Sequence, residues 1–184
     1  KTNKNLTCFF KNLATNKNVF AVNNMITMFA FCSSLISLDL LSFNTSQVTN
    51  MSNMFKNAFM ITYLNVTGWN TTNVTDMSSM FEMNDNMEKS RLDTIVGLNN
   101  FNVSNVVNMS YMFSGCRNLT TADFSTWNPT SVLSLNSTFN DCRHLDLSVF
   151  ENWNIDKNIV DVTNCFASNA GYYVDKTYKP SWSK

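Results

Sequence analysis

The octet Val74-Thr75-Asp76-Met77-Ser78-Ser79-Met80-Phe81 decides how the rest of the chain is read, because it recurs. Val22–Phe29, Val48–Phe55 and Val106–Phe113 are near-copies, and Val132–Phe139 and Ile159–Phe166 are decayed ones. The closing rings Phe29, Phe55, Phe81, Phe113, Phe139 and Phe166 lie 26, 26, 32, 26 and 27 residues apart. Self-similarity at a fixed period of this length is the signature of a repeat architecture, in which each unit buries its apolar face against its neighbours.

Working outward from the octet, each unit has one inner grammar. In the unit that starts at Val48, the apolar positions are Val48, Met51, Met54, Phe55, Ala58, Ile61, Leu64, Val66 and Trp69. The step Leu64-Asn-Val66 alternates as a strand does, with equivalents at Leu38-Asp-Leu40, Val96-Gly-Leu98, Ala122-Asp-Phe124 and Ser148-Val-Phe150. Met54-Phe55-x-x-Ala58 has the spacing of a short helical or 3₁₀ turn, and Val48–Met51 reads as a second short extended segment. One long helix from Val48 to Leu64 is the weaker reading, since Asn, Ser and Thr favour caps and turns over helix interiors. The expected fold is a leucine-rich-repeat-like solenoid of parallel strands and short helical turns, about six coils of 26 residues each.

The domain reading is one unit over 1–184: an N-terminal cap at 1–21, repeats over 22–166 and a C-terminal cap at 167–184. Solenoid ends depart from the consensus because a bare end would expose its core. In the last stretch Tyr172, Tyr173, Tyr178 and Trp182 crowd together and Pro180 stops regular structure. A six-residue insertion falls within 82–93, a twelve-residue segment that carries Glu82, Asp85, Glu88, Lys89, Arg91 and Asp93. An insertion of this kind bulges from one face, so Asp85, Glu88, Lys89 and Arg91 form the candidate partner-binding loop, weighed against a tolerated solvated loop.

At the corner between coils the aromatic position reads Phe43, Trp69, Phe101, Trp127 and Trp153, each followed by Asn. Rings there are expected to fill corners and the amides to satisfy turn backbone groups, weighed against a carbohydrate- or base-stacking platform. Turns must rest on Asn, Asp, Ser and Thr because the chain has only 4 Gly and 2 Pro.

Composition removes several function classes. A chain of 184 residues with 44% hydrophobic content can bury a substantial core, on the order of 70% of its unfolded surface if compact. Thirteen basic and thirteen acidic residues cancel, leaving no field to attract nucleic acid or an anionic membrane. No apolar run reaches the roughly 18 residues of a membrane-spanning helix. The sequence begins at Lys1 rather than Met, consistent with a removed export signal or with trimming.

The motifs of catalysis are missing. The sole histidine, His144, follows Cys142 by two residues, too little for a zinc site, and it reads as a surface residue. No CxxC, HExxH, GxSxG or glycine-rich phosphate loop is present. No catalytic, cofactor-binding or metal residues are assigned, no cofactor is expected, and a small-molecule substrate is not expected. Cys32, Cys116 and Cys142 share a slot where Ala58 and Asn84 stand elsewhere, and a slot that accepts Ala reads as a small buried position. A bond between Cys116 and Cys142 would need backbones within about 7 Å, and the odd count of 5 favours free thiols. Ten sequons, at Asn5, Asn44, Asn50, Asn65, Asn70, Asn73, Asn102, Asn108, Asn118 and Asn136, are candidate glycosylation sites in a secreted eukaryotic setting. A repeat built from Asn, Ser and Thr also generates that triplet automatically.

The motif VTxMSxMFxxCxxLxxLDLSxWNTSN, nearly whole in Met51–Phe81 and Met109–Asn128, resembles the repeat of the BspA-like leucine-rich-repeat surface proteins. That group includes a domain of unknown function first noted in mycoplasma lipoproteins. The resemblance covers about 22–166 and departs at Leu135, Thr138, Val162 and Cys165, where Met is expected. It implies a cell-surface or extracellular setting and protein binding or adhesion. The expected function is therefore a non-enzymatic surface module for protein binding, adhesion or structural assembly, with a protein partner or lateral self-assembly. The alternative is an ice- or glycan-binding solenoid using its Thr/Asn-rich face. That alternative needs an even outward row, whereas the pairs after the corner Asn read Thr45-Ser46, Thr71-Thr72, Val103-Ser104, Pro129-Thr130 and Ile155-Asp156.

Overall fold

A computed structural model describes residues 20–21, 23–41, 43–84, 90–167, 170–175 and 178–183. Its regular structure is sparse: β1 (Phe20–Ala21), β2 (Phe43–Asn44), β3 (Tyr63–Asn65), β4 (Thr94–Val96) and β5 (Thr121–Ala122), one helical turn α1 (Tyr172–Asp175), and 3₁₀ turns at Leu98–Asn100, Leu147–Phe150 and Ser181–Ser183. All pairing is parallel, β1 with β2 and β3-β4-β5 in sequence order. Isolated parallel bridges run Asn50↔Asp76↔Asn108↔Ser134↔Asp161, so the third octet position of each repeat sits beside that of the next.

The octets are joined by a directional ladder. Met51, Asn53 and Phe55 donate their N–H groups to the carbonyls of Asp76, Ser78 and Met80 at 2.9, 2.8 and 2.8 Å. Met77, Ser79 and Phe81 repeat the pattern onto Asn108, Ser110 and Met112, and the remaining octets continue it to Asp161, Thr163 and Cys165. The N–H groups between these donors are satisfied locally, while Thr75, Val107, Leu133 and Asp161 donate back to Thr49, Thr75, Val107 and Leu133 of the preceding octet. Met54 N–H donates back to Met51, and the Asn50 side chain accepts from Ser52 N–H at 2.8 Å, as Asp76, Asn108 and Asp161 accept from Ser78, Ser110 and Thr163. A short side chain that bonds the backbone two residues on is what Asn and Asp supply in turns, which explains the third octet position.

This geometry corrects the expected helical turn over Met54–Ala58. The segment is a run of tight turns, because Asn53 just before it and Asn57 within it are both left-handed at φ 57°; the sixth octet position is left-handed in each repeat, with Thr27, Asn53, Ser79, Tyr111, Ser137 and Asn164 at φ between 54° and 58°. A left-handed residue ends helical propagation and turns successive N–H groups toward the neighbouring repeat.

The core lies inside this ladder, and every inward position named above for the unit from Val48 is buried. Phe29, Phe55, Phe81, Phe113, Phe139 and Phe166 stack in one column with centroids 5.3, 5.5, 5.2, 5.6 and 5.5 Å apart. A second column at the corners runs Trp69, Phe101, Trp127, Trp153, with neighbours 6.3 Å apart. Near-parallel rings at such separations are offset stacks, the arrangement the aromatic quadrupole favours over a face-to-face sandwich. The tail rejoins this column: Trp182 stacks on Trp153 at 6.1 Å and 5°, and its Nε1 donates to Phe150 O at 2.8 Å. Trp69 and Trp127 donate in the same way to Leu40 O and Leu98 O, so the cycle extends into residues read from sequence as having left it. Of the expected N-terminal cap at 1–21, only the backbone of Phe20 and Ala21 lies within the described residues, where it pairs with Phe43 and Asn44.

Register also redistributes the insertion. β4 sets Ile95, not Val96, opposite Leu64, and Val96 is 38% exposed. Leu98 still matches Val66, since Phe101 stacks on Trp69 three residues later in both units. One extra residue is therefore absorbed at Gly97, and the other five of the six lie between Phe81 and Ile95. Gly97 has φ +93°, and a Cβ there would lie 2.5 Å from the Thr67 backbone N, so only glycine fits this bulge. The expected strand step Ser148-Val-Phe150 is instead part of a 3₁₀ turn capped by Asp146, whose side chain accepts from Ser148 N–H.

Candidate functional site

The insertion is anchored at both feet. Glu82 is buried and paired with Lys56 at 2.9 Å, and its other oxygen accepts from Asn84 at 3.0 Å. On the far side Arg91 N–H donates to Phe59 O at 3.0 Å, and Asn118 Nδ2 donates to Ser90 O at 2.6 Å. Of the four candidate partner-binding residues, Arg91 is exposed, while Asp85, Glu88 and Lys89 lie outside the described residues.

The sequon asparagines share a structural task. Asn44, Asn50, Asn65, Asn70, Asn102 and Asn108 use Oδ1 to accept the N–H two residues on. The Nδ2 atom, where a glycan would be attached, is a donor between repeats at four positions: Asn50 to Asp76, Asn73 to Ser46 O, Asn118 to Ser90 O and Asn136 to Asp161. Attachment at those four would take one of the two N–H donors of an amide that ties neighbours together. Asn5 lies outside the described residues.

Cys32, Cys116, Cys142 and Cys165 are free thiols. Cys116 and Cys142 are buried and donate Sγ–H to Phe81 O and Phe113 O, each at 3.0 Å. Burial pushes both thiols well up, with Glu82 adding to the rise at Cys116 and Cys116 to that at Cys142. They are packing groups rather than nucleophiles. His144 is half-buried rather than a plain surface residue, and stacks on Tyr173 at 4.6 Å. Among the described residues no group of three or more His, Cys, Asp or Glu is placed to hold a metal ion.

Sequence reasoning missed one charged cluster. Asp141, only 3% exposed, accepts from Arg143 Nε at 2.9 Å and from Arg117 Nε. Burial raises its pKa, but the hydrogen bonds from Arg143 and Arg117 outweigh that and hold the carboxyl below its ordinary value. Asp141 is itself left-handed, with φ 58°, in the slot where Phe31, Asn57 and Gly115 are also left-handed, so the cluster secures a turn.

Two surface features remain. On the octets Val107, Tyr111 and Leu133 are exposed at 39%, 41% and 53%, and Leu133 N–H donates to Val107 O, placing the two aliphatic side chains on neighbouring repeats. At the corners a column of hydroxyls stitches the repeats: Thr45 Oγ1 donates to Asn70 O at 3.0 Å and accepts from Asn70 N–H at 2.8 Å, and Thr71 Oγ1 donates to Asn102 O at 2.9 Å.

A family model described as Mycoplasma protein of unknown function, DUF285, matches residues 3–93 and 62–177. The two matches together span most of the chain, which belongs to this family of mycoplasma-type proteins. No curated protein and no solved structure matches the chain. Among the described residues no helix is long and apolar enough to cross a membrane.

Proposed function

We propose that the chain is a leucine-rich-repeat-like solenoid of the BspA-like kind, serving as a non-enzymatic extracellular or cell-surface module for protein binding, adhesion or assembly. The ladder supports the architectural part, since each octet before the last donates to the one after it. The observation that carries the functional part is the exposed set Val107, Tyr111 and Leu133 on adjoining repeats. Large apolar side chains on a regular surface are what a protein partner or a second copy buries. A balanced charge of 13 against 13 permits close approach without self-repulsion.

The test combines affinity capture with sedimentation across a concentration series, for the wild type and a Val107→Asp/Leu133→Asp variant. A stoichiometric partner or self-association that the variant loses at unchanged melting temperature supports the reading. Absence of both, or turnover of a substrate abolished by one point mutation, refutes it.

A further inference from the structure

Between the corners at Phe101 and Trp127 the hydroxyl of the Thr45 and Thr71 kind is missing, and the repeats are joined instead by Thr126 Oγ1 to Asn99 O at 2.8 Å and Thr130 Oγ1 to Ser104 O at 3.2 Å. Val103 stands where Thr45 and Thr71 stand in earlier repeats, and a methyl cannot bond the Asn128 peptide as Thr45 bonds that of Asn70. The Asn128 N–H has no partner among the described residues. At this seam a groove of about 310 Å³ opens, floored by the buried Phe101 and Val103. The 3₁₀ turn Leu98–Asn100, which follows the Gly97 bulge, supplies Asn99 and Asn100 to its wall.

We propose that this seam binds a neutral saccharide unit. The side-chain amides of Asn99, Asn100 and Asn128 and the Nδ2 of Asn102 line the groove, are exposed, and have no partner among the described residues. The Oδ1 of Asn102 is occupied by Ser104, and the Thr126 hydroxyl donates to Asn99 O at 2.8 Å, keeping its lone pairs open. A primary amide offers two donors and an acceptor, which suits vicinal hydroxyls that each donate and accept. No charged side chain lines the groove, so a phosphate or carboxylate would find no charge-assisted bond there. The volume lies at the small end of ligand sites, suited to one or two sugar rings. Phe101 and Trp127 are buried and offer no stacking face, so binding rests on hydrogen bonds and falls in the millimolar range. The unevenness of the Thr/Asn row, which argues against an extended binding face, is what localises this site.

The site shares no residue with the Val107, Tyr111 and Leu133 surface, so either can fail without the other. The test is a ¹H–¹⁵N NMR titration of the protein with methyl glucoside, galactose and N-acetylglucosamine, with glucose 6-phosphate as the anionic control. At least one neutral sugar is expected to shift the Asn99, Asn100, Asn102 and Asn128 side-chain amides saturably. Val103→Thr restores the stitch with a side chain of the same shape and is expected to weaken binding at least about tenfold. Asn128→Ala is expected to weaken it similarly, and melting temperatures establish that both variants fold. No saturable shift with any neutral sugar, undiminished shifts in folded Val103→Thr, or tighter binding of the phosphorylated sugar would overturn the proposal.

Discussion

Replacing Phe81 by Ala probes the stack where it is best defined. Its ring is fully buried and lies between Phe55 at 5.5 Å and 2° and Phe113 at 5.2 Å and 18°. Truncating a core Phe costs about 3–5 kcal/mol through lost transfer energy and the cavity left behind. Each offset stack is worth about 0.5–1.5 kcal/mol beyond area, and two are lost here, which places the expected cost in the upper part of that range. The neighbours cannot collapse into the gap without breaking the Phe55-to-Met80 and Phe81-to-Met112 backbone bonds, both 2.8 Å. In urea denaturation the midpoint should fall with an unchanged slope, and a double-mutant cycle with Phe113→Ala should return about 0.5–3 kcal/mol of coupling. Val149→Ala, on an exposed side chain, should cost under about 0.5 kcal/mol. Equal costs at Phe81 and Val149, or a null coupling with Phe113, would refute the stacked-column account.

Gly97→Ala should lower the melting temperature more than Gly68→Ala: both glycines have positive φ, but a Cβ at Gly97 meets the Thr67 backbone at 2.5 Å while nothing lies within 4 Å of one at Gly68. Asp141→Asn should destabilise the protein at neutral pH by about 1–3 kcal/mol through lost charge-assisted hydrogen bonds. Because the folded-state pKa of Asp141 is depressed, its ionisation stabilises the fold above the unfolded value of about 3.9 and that contribution disappears as pH falls through the folded value, so the gap between wild type and variant, read by chemical denaturation, should close below about pH 4. In thiol-labelling kinetics at pH 8, Cys32, half-buried, should react before Cys116 and Cys142, which should wait for unfolding; fast labelling of Cys116 in the native protein would contradict its burial.

The repeat, its spacing and its inward positions were legible in the sequence because they are set by local, recurring demands. Each unit must offer the same apolar groups to its neighbours, so Val, Met, Met and Phe return at fixed intervals, and Asn or Asp recurs wherever a side chain must bond the backbone two residues on. The corner column was legible for the same reason as far as Trp153.

What only tertiary structure decided concerns contacts between repeats. Periodicity could not show that Ile95 rather than Val96 faces Leu64, since the count of inserted residues does not say where the chain absorbs them; the close approach of Thr67 to Gly97 does. Nor could it place Trp182 on Trp153, because the tail reaches the column by a route of different length. Asp141 meets Arg117 from the preceding repeat, and the seam at Val103 carries a methyl where Thr45 sets a hydroxyl against the peptide of the next corner Asn. The signal for that seam was present as the change from Thr45 and Thr71 to Val103, but its meaning required knowing what the hydroxyl bonds. Local composition specifies each unit's own turns and core, while partners some 24 to 32 residues apart are brought together by stacking, and their chemistry becomes readable only once the stack exists.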